Sequence, residues 1–145
     1  MKLFIASHNR DYARLLKLEL ERIGHECTSR WISSDHKFGT SDYSDEERRQ
    51  LALMDEEDVR RATDGLILLA EMPGHFVPGG KHVETGMAIT LGHPVYVVGR
   101  RENVFHWHPS VTVFADTEEL LAHLSEARAE KSSGFAGKTS SITPK

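Results

Sequence analysis

The stretch GGKHVETGMAITLGHPVYVV, residues 79–98, decides the fold of this chain. Its leading glycines end a proline-rich loop, and the residues after them predict a short helix that Gly92 and Pro94 close. The apolar run 95–98 then predicts a strand buried on both faces, because it shows no alternation with polar residues. A helix that leads directly into such a strand is typical of an α/β protein with a parallel sheet.

Glu84 is the candidate for chemistry within this stretch. We predict that it lies in the first turn of the helix, where unpaired backbone N–H groups and the helix dipole favour an anion. A carboxylate held there should stay ionised near neutral pH and could act as a nucleophile or a base. The same position also suits an acidic residue that only complements the helix dipole, so the surroundings must distinguish the two.

Strands alternate with helices along the rest of the chain. A helix that stops at Gly24 follows the first strand, and two more helices are predicted with caps at Ser44 and at Asp116 or Thr117. Apolar runs predict strands at 3–6, 27–32, 64–70, 95–99 and 111–114. This order predicts a doubly wound, Rossmann-like or flavodoxin-like, five-stranded parallel sheet with helices on both faces.

Length and charge restrict the function classes. The 145 residues suit one domain, which we place at 1–130, with a disordered tail rich in Ser, Gly, Thr and Lys at 131–145. Lys and Arg number 18 against 22 Asp and Glu, a net charge of -4, which argues against a nucleic-acid polymer as partner but not against a small phosphorylated ligand. The single cysteine, Cys27, favours a reducing compartment. Without a signal-peptide core or a membrane-spanning run, we expect a soluble cytoplasmic protein.

Polar side chains at the carboxyl ends of the predicted strands mark a candidate site. In a doubly wound sheet the loops after strands one, three and four converge at one edge. These loops carry the candidate residues Ser7, His8, Arg10, Glu71 and Asn103. Glu84 and Glu71 could supply the carboxylate and the proton donor that cleavage of a glycosidic bond needs.

Other candidate residues keep two interpretations. Glu71 could also be a solvated loop residue, and Asp64 either a substrate-binding or a turn residue. Gly80 and His82 lie at the helix start, where His82 could donate to a ligand oxygen. The spacing of the histidines matches no metal signature, so we predict neither a metal nor a cofactor. Aromatic residues in the loop 100–109 suit the core or a subunit contact better than base stacking.

Residues 79–86, followed by an alanine, a Leu-Gly-x-Pro and an apolar strand, resemble the nucleoside 2-deoxyribosyltransferase family and its relatives, the deoxynucleoside 5′-monophosphate N-hydrolases. The resemblance covers the ordered chain. It implies that Glu84 attacks the anomeric carbon of the sugar to give a covalent glycosyl-enzyme intermediate. It also implies that an acid after the third strand, here Glu71, orients the sugar or protonates the leaving base. The family's aspartate shortly before the nucleophile is absent here, which weakens the case for efficient base transfer more than that for cleavage.

The resemblance further implies a homo-oligomer in which a polar residue of a neighbouring subunit, here Asn103, completes the pocket. The leading hypothesis is therefore an enzyme that cleaves or transfers the N-glycosidic bond of a 2′-deoxynucleoside or its 5′-monophosphate. The alternative is a nucleotide-binding or sensing module with the same fold and no activity. The chain has no Gly-x-x-x-x-Gly-Lys-Ser/Thr phosphate loop and no Gly-x-Ser-x-Gly nucleophile turn.

Overall fold

The computed structural model describes residues 1–33, 42–72, 74 and 79–135. Within these ranges the strands are β1 (Lys2–Ala6), β2 (Glu26–Cys27), β3 (Gly65–Leu69), β4 (Val95–Val98) and β5 (Val111–Phe114). They form a sheet with the order β2-β1-β3-β4-β5, and every neighbouring pair is parallel. This is the flavodoxin-like order of a doubly wound sheet, so the predicted fold class is confirmed.

Helices cover both faces of this sheet. They are α1 (Arg10–Arg22), α2 (Asp45–Arg61), α3 (Gly80–Thr90) and α4 (Thr117–Phe135). Because side chains alternate along β1, Leu3 and Ile5 join an apolar cluster with α1 and α4, whereas Phe4 and Ala6 join one with α2 and α3. The sheet is therefore buried on both faces, which explains why its central strands are apolar throughout.

The second strand is much shorter than predicted. It ends at Cys27 instead of 32, and the chain continues into a 3₁₀ helix at Arg30–Ile32. Side chains replace the missing strand partner of Ile5: its N–H donates to Ser29 Oγ at 2.7 Å, and Trp31 Nε1 donates to its carbonyl at 2.9 Å. The prediction of a strand over 27–32 was wrong because these contacts satisfy the edge of β1 without a ladder.

Buried Asp58 of α2 holds the 3₁₀ helix in place. Its carboxylate accepts hydrogen bonds from Arg30 Nε at 2.7 Å and from the Arg30 backbone N–H at 2.9 Å. A desolvated carboxylate is stable only when its oxygens are bonded in this way, so the contact fixes α2 against the chain after β2.

The remaining boundaries follow the sequence closely. Ser44 caps α2, as predicted, and forms a capping box with Glu47.

Helix α4 continues to Phe135, so the first five residues of the predicted tail are helical, while 136–145 lie outside the described residues. Residues 34–41, 73 and 75–78 also lie outside them. No helix in the described ranges combines the length and apolar character that crossing a membrane requires.

Candidate functional site

The strand order reverses between β1 and β3, and ligands of open α/β sheets bind at the carboxyl ends of strands beside such a reversal. Ser7 follows β1 there, and its Oγ accepts a hydrogen bond from the Asn9 N–H at 3.0 Å. Asn9 then caps α1 through Tyr12 N. Half-buried Ser7 and Arg10 and exposed His8 therefore lie at the predicted edge of the sheet.

Glu84 lies farther along its helix than the sequence predicted. Helix α3 begins at Gly80, so Glu84 is its fifth residue, and the first turn contains no acidic residue. Burial, followed by the charge of Asp55, raises the pKa of Glu84 from 4.5 to about 8. The expectation of an ionised carboxylate was therefore wrong. The free N–H groups of a helix act within its first turn, and in the second turn desolvation dominates.

Asp55, in the middle of α2, is the group that sequence reasoning missed. Helices α2 and α3 pack against each other, and this packing brings the charge of Asp55 close enough to act on Glu84. Burial, followed by the charge of Asp58, raises the pKa of Asp55 itself to about 6. Its buried Oδ1 has no hydrogen-bond partner among the described residues. Asp55 belongs to the acidic run 55–58, which is typical of a solvated helix face, so no sequence signal distinguishes it.

Together, Asp55 and Glu84 form a carboxyl pair. With pKa values of about 6 and about 8, the pair holds one proton and one negative charge at neutral pH. One member can then act as a nucleophile or base while the other donates a proton.

Glu71 forms an ion pair that the sequence did not predict. It lies at the expected place after β3, but the Lys81 ammonium is 3.6 Å from its Oε1 and 2.8 and 3.1 Å from the two oxygens of Glu102. The Lys81 side chain is only 2% exposed, so its buried charge needs a carboxylate partner, and Glu102, the nearer of the two, hydrogen-bonds to it. Asp55, and not Glu71, is thus the carboxyl group that acts on Glu84.

The structure brings together two of the predicted site residues, His82 and Asn103. Asn103 Nδ2 lies 3.2 Å from His82 Nδ1 and 3.5 Å from Nε2 of the buried His106. Residues two positions apart do not share a helix face, so His82 is directed toward this loop and away from the face of Glu84. Gly80, exposed at the first position of α3, lies one turn before Glu84 on its face.

Asp64 does not join this group. It precedes β3 and so lies at the amino-terminal ends of the strands, the edge of the sheet opposite the candidate site. There it accepts hydrogen bonds from the Lys2 N–H at 2.8 Å and from Lys131 Nζ at 3.2 Å. These bonds connect β1 and α4 to the start of β3. They agree with the interpretation of Asp64 as a turn residue. A cleft of about 460 Å³ at this edge is lined by Met1, Lys2, Gly24, Glu26, Thr63 and Asp64. Its two carboxyl groups, those of Glu26 and Asp64, form ion pairs with Arg61 and Lys131.

The part of the chain that the structure describes has no cluster of three His, Cys, Asp or Glu side chains arranged to hold a metal ion. The candidate site consists of the Asp55–Glu84 pair, the loop after β1, and the His82–Asn103 contact.

Comparisons with known proteins bear on the fold. No protein-family model and no curated protein matches the sequence. Among solved structures the chain is similar to a 2-deoxyribosyltransferase from the psychrotolerant bacterium Bacillus psychrosaccharolyticus, with a TM-score of 0.64 and 21% identity. The similarity covers 83% of this chain and 90% of that one. The chain therefore has the fold of that 2-deoxyribosyltransferase.

Proposed function

We propose that this protein cleaves or transfers the N-glycosidic bond of a 2′-deoxynucleoside or its 5′-monophosphate. The observation that carries the proposal is the Asp55–Glu84 pair, which holds one proton at neutral pH. Glycosidic cleavage needs a carboxylate on one side of the sugar and a proton donor for the leaving group. The fold shared with a 2-deoxyribosyltransferase supports the choice of substrate.

In the proposed reaction a Glu84 oxygen forms a bond to C1′ of the sugar while the bond from C1′ to the base nitrogen breaks. The electron pair of the broken bond stays on the base, which takes the proton of Asp55. Water, or the nitrogen of a second base, then attacks C1′, and the bond from C1′ to Glu84 breaks. The proton of the attacking group returns to Asp55, so the pair ends in its starting state.

This sequence of steps requires the single proton to be on Asp55, although the pKa values favour Glu84 in the empty site. The difference of about two pKa units makes the exchange cost about 3 kcal/mol. Positive charge that develops on the sugar in the transition state would stabilise an ionised Glu84 and offset this cost.

The proposal is tested by incubating the protein with a panel of 2′-deoxynucleosides and their 5′-monophosphates, with and without a second free base. Chromatography measures the released base and any exchanged nucleoside, and mass spectrometry of an acid-quenched sample detects a deoxyribosyl group on the peptide that contains Glu84. Release of base without that adduct would support cleavage but contradict the covalent step. Binding of these compounds without any turnover would favour the non-catalytic module.

The loop 7–10 is the proposed site for a 5′-phosphate, because it follows β1 at the strand reversal and offers a hydroxyl group, backbone N–H groups and a guanidinium. We expect Arg10→Ala to raise KM for a monophosphate about tenfold or more and to leave KM for the matching nucleoside unchanged. Steady-state kinetics on both substrates measure this. Equal changes in the two KM values would assign Arg10 a structural role.

We also propose that the working form is a homo-oligomer. In the 3₁₀ helix Val104–Trp107, the side chains of Val104, Phe105 and Trp107 are 74%, 67% and 65% exposed, and Arg101 lies 5.0 Å from the Trp107 ring. Exposed aromatic and Arg side chains of this kind are enriched in protein interfaces. We expect Phe105→Lys to shift the protein toward monomers in sedimentation, whereas Leu18→Lys, at a site 61% exposed on α1, should not. A wild-type monomer at micromolar concentration would refute the proposal.

A further inference from the structure

Two consecutive residues of the loop after β4 contact two consecutive residues of α3. Glu102 accepts hydrogen bonds from buried Lys81, and Asn103 contacts His82. The ammonium of Lys81 is desolvated, so the Glu102 contact resists separation. These two contacts hold Asn103 beside His82 in the same chain.

The orientation of the Asn103 amide is determined by the backbone. The Phe105 N–H donates to Asn103 Oδ1 at 3.0 Å, because Asn103 caps the 3₁₀ helix. The amide NH₂ group must then face His82, with Nδ2 at 3.2 Å from Nδ1. Since NH₂ only donates, Nδ1 of His82 must accept, and a neutral ring then carries its hydrogen on Nε2.

His106 lies on the other side of the same amide. Its Nδ1 accepts a hydrogen bond from the Glu102 N–H at 3.0 Å, so its ring hydrogen is also on Nε2. The His106 Nε2–H group therefore cannot accept from Asn103, although the two nitrogens are 3.5 Å apart. Asn103 thus bonds to His82 in preference to His106. Burial lowers the pKa of both histidines, which keeps both rings neutral at the pH where the carboxyl pair holds one proton.

We propose that Asn103 is a positioning residue that acts within its own chain, fixing His82 as an Nε2–H donor for an oxygen atom of a ligand at the carboxyl edge of the sheet. Only the identity of that ligand, a nucleoside or nucleotide, rests on the proposed function. The tautomer of His82 and its dependence on Asn103 are properties of the protein without ligand.

The tautomers can be observed directly by NMR on protein labelled with ¹⁵N-histidine, at pH 8 and without ligand. His82 and His106 should both show the hydrogen on Nε2, with assignments from His82→Gln and His106→Gln. His108 serves as an internal reference, because the Ser110 N–H donates to its Nδ1 at 3.1 Å whatever residue is at 103. A hydrogen on Nδ1 of His82 in the wild type would overturn the proposal.

Asn103→Asp is the sharpest variant, because Asp caps a helix as well as Asn does and still accepts from the Phe105 N–H. It replaces the amide donor by a carboxylate, so Nδ1 of His82 should gain a hydrogen while His108 does not change. Asn103→Leu removes the donor without replacing it, and both tautomers of His82 should then be populated. An unchanged His82 spectrum in both variants would overturn the proposal, and an unfolded Asn103→Asp variant leaves Asn103→Leu to decide.

Kinetics separate this inference from the proposed function. If the protein turns over nucleosides, Asn103→Asp should raise KM about fivefold to tenfold and change kcat little, because the lost donor binds substrate and transition state alike. In a mixture of Glu84→Ala and Asn103→Asp chains, the sites that contain Glu84 should keep the raised KM of Asn103→Asp, since Asn103 is then missing from their own chain. A wild-type KM in the mixture would show that Asn103 acts on a neighbouring subunit and would refute the in-chain role. If no substrate turns over, the proposed function fails while the NMR result still decides the tautomer.

Discussion

Glu84→Gln is expected to abolish turnover, with kcat lower by at least about four orders of magnitude, because an amide cannot form the bond to C1′. The variant should fold normally, since Gln has nearly the same volume and a similar helix propensity. Base release with the best substrate of the panel measures the loss, and circular dichroism checks the fold. Near-full activity of Glu84→Gln would eliminate Glu84 as the nucleophile and with it the proposed intermediate.

The stability of the same variant at different pH values tests the environment of Glu84 independently of activity. A carboxyl group with a folded-state pKa of about 8 and an ordinary value of 4.5 is favoured in its protonated form by folding. Its contribution to stability is fully present below pH 4.5 and is lost as the pH rises through about 8. Glu84→Gln should therefore gain stability relative to the wild type between pH 5 and pH 8. If denaturant titrations at the two pH values show no such gain, Glu84 is not desolvated in solution.

Asp55→Asn is expected to lower kcat by about two to four orders of magnitude, because it removes the proton donor to the leaving base. A 2-deoxyribosyl substrate that releases 4-nitrophenolate needs no such proton, so the decrease in kcat of Asp55→Asn on that substrate should be far smaller. The wild-type kcat/KM should show a bell-shaped pH dependence with limbs near pH 6 and pH 8, where the pair gains its second proton and loses its last.

In Asp55→Asn the alkaline limb should disappear, because it reports loss of the donor. The remaining limb belongs to Glu84, whose pKa falls when the charge of Asp55 is removed although burial still raises it. Glu71→Gln serves as the comparison, since Glu71 is paired with Lys81. A larger loss in Glu71→Gln than in Asp55→Asn, with an unchanged bell-shaped profile in the latter, would return the role of proton donor to Glu71.

The sequence by itself determined the elements whose signals are local. The apolar runs at β3 and β4, the capping serine of α2 and the glycine that ends α1 each act within a few residues, and all of them are found in the structure. The alternation of strands and helices then left few topologies, because crossover connections between parallel strands are right-handed. The same topology predicted that the loop after β1 and the start of α3 lie together at the carboxyl ends of the strands.

Only the tertiary structure decided which groups meet and in what charge state. Asp55 acts on Glu84 because α2 packs on α3, and Glu71 lies in an ion pair because buried Lys81, whose nearer partner is Glu102, is 3.6 Å from it. Ser29 and Trp31 ended β2 early through contacts with Ile5, more than twenty residues away in the sequence. The pKa of a carboxyl group depends on the solvent and charge around it, which come from residues distant in sequence, so the spacing of residues along the chain could not predict it.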